Sequence, residues 1–342
     1  MTELLAVSDL SIDYRSDGEW LTAVSDATFT VQRGRILGIV GESGCGKSTL
    51  ARGLIRLLPE NGRITRGRVV LDGVDLLALK DADLRRYRWE RVSMVFQGAM
   101  NVLDPVYRIG AQIAEAIRWH RPVSRREAWS TARILLGKVG IEADRARSYP
   151  HELSGGMKQR VGIAMAIALE PDLVIADEPT TALDVITQDV VLGQLVDLQR
   201  SAGNSMILIS HDMGIIVESC DDVAVMYAGE IVETGTVEDV FASPAHPYTI
   251  GLVNAIPKTG AEIEAVSIPG HPPGAGEWPA GCRFRARCPF ATAGCEDPIP
   301  WTLIGHAHGV RCIRHEEHDE LRLRGSARSV WERIGEAWDS PA

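Results

Sequence analysis

No stretch of this chain approaches the ~18 consecutive apolar residues that a membrane-spanning helix needs, so no direct insertion into a bilayer is expected. The N-terminus, Met-Thr-Glu-Leu-Leu, lacks a basic region followed by an apolar core, and no secretory signal is expected either. Positive charge is in short supply. The 36 Lys and Arg face 46 Asp and Glu, a formal net charge of −10. That argues against a nucleic-acid binder whose affinity comes from overall positive charge, although a local basic patch remains compatible with it. Sustained heptads of a long coiled coil are missing. Paired Cys-x-x-Cys spacings are missing too. What remains is a chain of 342 residues, 45% hydrophobic and 24% charged, long enough for a large core and two domains. The expected place is the cytosol, with membrane contact only through a partner.

The chain is organised around Gly41-Glu-Ser-Gly-Cys-Gly-Lys-Ser48. A glycine, four residues and then Gly-Lys-Ser fit the phosphate-loop pattern. Arg35–Val40 reads as the buried strand entering it and Ser48–Leu57 as the helix leaving it. Gly41, Gly44 and Gly46 let the backbone curl round a phosphate chain with its N–H groups turned inward. The helix N-terminus adds partial positive charge. Lys47 is expected on the β- and γ-phosphates, and the Ser48 hydroxyl on Mg²⁺.

Upstream, residues 1–40 alternate apolar and polar positions with turn signals at Asp17-Gly18 and Arg33-Gly34, which is antiparallel strand material. Tyr14 suits either stacking on an adenine ring or a half-buried place in a strand. Residues 62–78 repeat the strand-and-turn pattern. Val92–Gln97 is a short apolar run ending in a glutamine that can touch Mg²⁺ or an attacking water. Over 109–140 the period becomes helical. Ser124-Arg-Arg-Glu127 forms a capping box, Ala128, Ala132, Leu135, Leu136 and Val139 share one face, and Gly140 ends the helix.

Leu153-Ser-Gly-Gly-Met157 opens a further helix that Ser154 can cap, with Gly155 and Gly156 allowing close approach of a phosphate. Leu173-Val-Ile-Ala-Asp-Glu178 is a buried strand with two carboxylates at its C-terminal end, where ligands bind in open α/β sheets. Asp177 is expected to hold Mg²⁺ and Glu178 to polarise the attacking water. Ala182-Leu-Asp184 lies in the next loop. Ser205–Ser210 is another buried strand, and His211 after it is placed to hydrogen-bond a γ-phosphate. A closing hairpin is expected around Ala228-Gly229.

Beyond residue 235 the pattern changes. A helix is expected from His246-Pro-Tyr-Thr249. Ser267–Gly281 is too rich in proline and glycine for regular structure. Cys282, Cys288, Cys295 and Cys312 follow at gaps of five, six and sixteen residues. In a cytosolic chain such a cluster points to metal rather than disulfides. Four thiolates suit zinc or an iron–sulfur cluster equally by softness. Cys220 reads as a buried structural thiol. Near the C-terminus, Val330, Trp331, Ile334, Ala337 and Trp338 share a helical face suited to packing on its own domain or on a partner.

Taken together, Gly41–Ser48, Gln97, Leu153–Met157, Asp177-Glu178, Asp184 and His211, in that order, resemble the ATP-binding cassette (ABC) ATPases. The tail and Leu103-Asp-Pro105 resemble the oligopeptide/dipeptide and nickel importer branch, which tends to have Leu-Asn-Pro there. The resemblance implies an α/β phosphate-loop NTPase core with an antiparallel β-subdomain and a helical subdomain (about 98–158) over residues 1–235. A small irregular C-terminal extension over 236–342 carries the cysteines. It implies ATP contacts from Tyr14, Gly41, Ser43, Gly44, Cys45, Gly46, Lys47, Ser48, Thr49, Gln97, Ser154, Gly155, Gly156 and Asp184. Mg²⁺ falls to Ser48, Gln97 and Asp177, and catalysis to Glu178, His211 and Gln97. Met157 departs from the family's usual glutamine, while the serine and glycines carry the phosphate contact. At the four cysteines the resemblance implies a structural [4Fe–4S] cluster, with Zn²⁺ as the alternative.

The function so implied is uptake of oligopeptides or dipeptides driven by ATP hydrolysis at the cytoplasmic face of the membrane. The expected partners are two permeases, a second and different ATPase subunit, and an extracytoplasmic peptide-binding protein. Nickel or another small solute is the alternative cargo. A non-transport ABC ATPase working on nucleic acid or the ribosome is the alternative class, disfavoured by the single cassette.

Overall fold

The structure is a computed structural model and describes residues 2–98, 102–180, 183–256, 267–305 and 307–339. Its strands are β1 (Glu3–Ser16), β2 (Glu19–Gln32), β3 (Ile36–Val40), β4 (Gly62–Leu71), β5 (Val74–Asp75), β6 (Val92–Val95), β7 (Leu173–Asp177), β8 (Ser205–Ile209), β9 (Asp222–Tyr227), β10 (Glu230–Thr236), β11 (Thr302–Leu303) and β12 (Gly309–Val310). Its helices are α1 (Lys47–Leu54), α2 (Asp81–Glu90), α3 (Ile109–His120), α4 (Arg125–Lys138), α5 (Gly155–Ala166), α6 (Val185–Ala202), α7 (Met213–Ser219), α8 (Val237–Ala242), α9 (Pro247–Asn254), α10 (His318–Gly325) and α11 (Arg328–Asp339). Two compact units result. One comprises Met1–Leu5, Val31–Ile36 and Leu71–Ile209, the other Ala6–Thr30, Leu37–Val70 and Ser210–Ala342.

In the first unit β6, β7 and β8 run parallel, with Val92 opposite Leu173 and Leu173 opposite Ser205. Helices pack on the sheet, so its strands read as unbroken apolar runs. Leu173–Ala176 and Met206–Ile209 are buried throughout. The helical stretch expected over 109–140 is two helices, α3 and α4, packed on each other. The capping box forms as the spacing requires: Ser124 Oγ accepts from Glu127 N at 3.2 Å and Glu127 Oε2 from Ser124 N at 2.8 Å. Hydrogen bonding from the Ser124 hydroxyl and then from its backbone N–H holds the Glu127 carboxyl below its usual range. Ala128, Ala132, Leu135, Leu136 and Val139 are all buried, and Gly140 ends the helix in the left-handed region at φ 71°. Helix α2 escapes the sequence pattern. Only Leu84 of its ten residues is buried, and it kinks at Arg88 and Trp89.

In the second unit β1 and β2 form a hairpin through Asp17-Gly18, both at positive φ, and β1 lies between β2 and β4. A second set of strands runs in the order β11-β12-β10-β9-β3. Strand β3 is parallel to β9, and the remaining pairs are antiparallel. The expected turn at Ala228-Gly229 joins β9 to β10. Strands β11 and β12 were not legible in the sequence; β12 adds directly to β10, with Glu233 opposite Val310. The region after residue 235 is therefore stitched into the sheet that carries β3. Residues 267–281 contain neither helix nor strand, as their proline and glycine content requires. Trp331 of α11 is buried, its indole donating to Gly325 O at 2.8 Å. Trp331 thus packs on its own unit; the side chains of Ala337 and Trp338, and residue Ala182, lie outside the described residues. Cys220 is buried with its sulfur against Gly38.

Leu136 is fully buried within α4. Replacing it by Ala is expected to cost about 2–5 kcal/mol, lost transfer energy plus a cavity, read as a lowered denaturant midpoint at unchanged slope.

Candidate functional site

The turn from β3 into α1 sets the geometry. Gly41, Gly44 and Gly46 all have positive φ, at 155°, 79° and 103°. At two of them a side chain has no room. A Cβ on Gly41 would lie 2.0 Å from Met226 O, and one on Gly46 would lie 2.7 Å from Ala23 O. Gly44 faces open space, so its requirement is conformational alone. Gly46 caps α1 in a left-handed conformation, and no side chain caps that helix. The first turn thus presents its N–H groups at an end carrying partial positive charge.

Lys47 is 5% exposed. Its ammonium donates to Gly41 O at 2.8 Å, Glu42 O at 2.9 Å and the Cys45 sulfur at 3.7 Å. A buried cation is thereby held inside the turn by backbone carbonyls, with the weak sulfur contact the one most easily exchanged for a stronger acceptor. Burial raises the Cys45 thiol pKa despite the neighbouring Lys47 charge, so Cys45 fills space rather than acting as a thiolate. Tyr14 is half-buried, with its ring against Gly62.

Within the first unit, the structure brings together the glutamine and the second carboxylate. Gln97 Nε2 donates to Glu178 Oε2 at 2.7 Å. Asp177 ends β7 fully buried. Glu178 follows it at φ 43°, a left-handed conformation that costs energy in a non-glycine residue and concentrates at functional positions. Its N–H donates to Ile209 O at 3.1 Å, which fixes the turn out of the sheet.

Ser154 caps α5, accepting from Met157 N at 3.3 Å, and is exposed. Gly156 has a second reason to be glycine. A Cβ there would sit 2.6 Å from Thr187 Cγ2 on α6. Asp184 caps α6 by accepting from Thr187 N at 3.0 Å and Thr187 Oγ1 at 2.7 Å. One threonine therefore joins Asp184 to the start of α5. In the second unit His211 is exposed, just before Asp212, which caps α7.

The four tail cysteines line one pocket of about 350 Å³, its mouth included, together with His246, Phe284 and Phe290. Among the described residues no three His, Cys, Asp or Glu side chains converge closely enough for a single metal ion. Burial pushes the Cys282 thiol up to about 12 and the Cys312 thiol up to about 11, and raises Cys288 as well. Sequence reasoning missed Tyr248 and Arg287, which both engage Glu42. Separations of 206 and 245 residues leave no local signal for either contact.

Residues 24–181 match the family model described as ABC transporter, and residues 232–295 the one described as oligopeptide/dipeptide transporter, C-terminal region. A probable peptide ABC transporter ATP-binding protein of Sinorhizobium fredii is 44% identical over 321 residues, covering 92% of this chain and 96% of the relative. A putative peptide import ATP-binding protein of Brucella melitensis is 43% identical, covering 92% and 98%. Among solved structures, a dimeric post-hydrolysis state of an ATP-binding cassette bound to ADP and Pi is similar at TM-score 0.62 and 25% identity, over 68% of this chain and 99% of that one.

Replacing Gly46 by Ala is expected to lower MgATP affinity at least about tenfold, because the turn must move away from Ala23 and Met226. Replacing Gly44, which meets no atom, is expected to cost clearly less. Nucleotide titration of both variants checks the order.

Proposed function

The chain belongs to the ATP-binding cassette ATPases of the oligopeptide/dipeptide transporter type, and on that premise we propose that it is the ATP-hydrolysing subunit of a peptide importer. The observation that carries this reading is the β3–α1 turn with its buried Lys47 and uncapped helix end, in a chain that also matches the peptide-transporter C-terminal region.

The residue roles are part of the proposal. The cassette core is assigned to 1–235 and the extension to 236–342. Backbone N–H groups of Gly41–Ser48 and the Lys47 ammonium bind the phosphate chain, Thr49 adds a contact beside it, and Tyr14 stacks on the adenine. Ser48, Gln97 and Asp177 are the proposed Mg²⁺ ligands, each carrying an oxygen of the hard kind that the ion prefers. When bound, the ion neutralises charge on the β- and γ-phosphate oxygens. Glu178 accepts a proton from the attacking water. The Gln97 hydrogen bond holds its carboxylate in one orientation, and His211 hydrogen-bonds the γ-phosphate. Ser154, Gly155 and Gly156 cap the γ-phosphate bound by a second cassette subunit, with Asp184 alongside. The dimeric form of the similar cassette bound to ADP and Pi supports that pairing. Closure on ATP and reopening after hydrolysis is then a nucleotide-driven population shift.

Among the described residues no helix is long and apolar enough to cross a membrane. Docking on two permeases at the cytoplasmic face is the proposed attachment, with a peptide-binding protein outside. Val106, Tyr107 and Trp119, at 69%, 59% and 82% exposure, supply apolar surface for permease contact. Peptide is the proposed cargo, and nickel or another solute would use the same motor.

For the cysteine pocket, Cys282, Cys288, Cys295 and Cys312 are the proposed ligands of an iron–sulfur cluster. The residues fit such a group. Four soft donors line one cavity, a donor set that suits an iron–sulfur cluster and zinc equally by softness; the family resemblance is what favours the cluster. When bound, the group would supply cross-links within a thin, loop-rich segment.

Two measurements test the proposal. Replacing Glu178 by Gln is expected to lower ATP turnover by about 10²–10⁴-fold with MgATP binding retained; normal turnover would remove Glu178 from the mechanism. Iron, sulfide and zinc analysis of anaerobically purified protein, with its visible spectrum, is expected to give iron and sulfide; stoichiometric zinc would overturn the cluster assignment.

A further inference from the structure

A phosphate loop binds through its backbone, so whatever fixes that backbone sets its affinity. In this chain the loop is held by residues from far along the sequence. The Tyr248 hydroxyl accepts from Glu42 N at 2.9 Å. Arg287, 2% exposed, grips the Glu42 carboxylate with both terminal nitrogens, at 2.7 and 2.8 Å. Its other donors reach Pro269 O, Tyr227 Oη and Ile268 O. All five N–H donors of the guanidinium are thereby matched to acceptors.

A second grip holds the middle of the loop. Cys45 O accepts from Gly229 N at 2.9 Å. Gly229 lies under Trp278, whose ring a Cβ there would approach to 2.5 Å. Arg283 stacks 3.5 Å from the centre of that ring, donates to Ala228 O and pairs with Glu230 at 3.2 Å.

Both arginines lie between Cys282 and Cys288, two of the cysteines lining the pocket. Phe284, between the arginines, lines that pocket and packs against Tyr227 and Tyr248, ring centres 5.2 and 5.4 Å apart. One short stretch therefore has one side in the cysteine pocket and the other on the loop. We propose that residues 282–288 couple the cysteine pocket to the phosphate loop, with Arg287 and Arg283 as positioning residues for nucleotide binding. The state of the pocket then sets ATP affinity. This rests on the reading of the loop as an ATP site.

The physical reason is stiffness. A buried guanidinium with every donor engaged, two of them on one carboxylate, has one good geometry. Cys288 is the next residue to Arg287, so a displaced Cys288 carries the guanidinium with it. The Glu42 backbone follows, and with it the N–H groups that face phosphate. Coupling between two sites of this kind amounts to about 5–150-fold in affinity.

The test uses the full chain, with MgATP affinity measured by titration, ATPase KM and kcat, and a thermal melt for each variant. Arg287→Gln and Glu42→Gln are each expected to weaken MgATP about tenfold and raise KM more than they lower kcat. The double variant is expected to lose no more than the weaker single, because both act through one contact. Cys288→Ser is expected to weaken MgATP as well. Unchanged affinity in Arg287→Gln or Cys288→Ser, or fully additive losses in the double variant, overturns the coupling. If Arg287→Gln does not fold, Arg287→Lys keeps the charge and loses the two-nitrogen grip on Glu42, and unchanged affinity there overturns it equally. Failure of the wild-type chain to bind MgATP would sink the ATPase reading instead.

Discussion

The structure depends on how closely backbone passes backbone at the β3–α1 turn. Gly41 runs against the Met226 carbonyl of β9, and Gly46 against the Ala23 carbonyl of β2. Those approaches leave no room for a methyl group. Because the turn is pinned between two strands, its carbonyls can converge on the Lys47 ammonium while its N–H groups are left for an anion. A cation this buried is tolerable only with fixed acceptors close by, and Gly41 and Glu42 supply them. The tight turn and the buried charge thus require each other: a looser turn would let water in and the lysine out.

The same economy of space recurs at Gly156. Glycine in the Ser-Gly-Gly sequence reads as room for a phosphate, and the structure adds that α6 comes so near that Thr187 would collide with a side chain. Asp184 holds that threonine by two hydrogen bonds. A cap on one helix therefore fixes the approach of another, and residues that the family pattern treats as separate motifs share a contact.

What was legible in the sequence was local. The capping box at Ser124–Glu127, the apolar face of α4 and the glycine stop at 140 are set by neighbours within a few residues, and each forms where its pattern lies. The phosphate loop was legible for the same reason, since strand, turn and helix are contiguous. Gln97 and Glu178 were each legible as residues suited to an attacking water, but their direct hydrogen bond, across 81 residues, was not. The remainder depended on partners distant in sequence. Strand β12 is two residues long and has no pattern of its own; it exists because β10 offers an edge. The polar helix α2 hides behind the single buried Leu84. The gaps between the four cysteines fix neither a shared cavity nor its width.

Strand β10 shows why the C-terminal region folds into the same unit as the phosphate loop. Its Glu233 is fully buried, a costly position for a carboxylate unless it is well supplied with donors. The donors are Ala245 N at 2.7 Å and His246 N at 2.9 Å, with the His308 ring nitrogen at 2.7 Å. Two of these come from the entry to α9 and the third from the segment just before β12. Removing the C-terminal region would strip all three donors and leave a charged group inside the sheet. The cassette strand is thus built for a tail that completes it, and the tail has a fixed place from which Tyr248 reaches the loop. An appended domain on a linker would need neither the buried carboxylate nor the shared sheet edge. Both are consistent with a C-terminal region that is part of the nucleotide-binding unit.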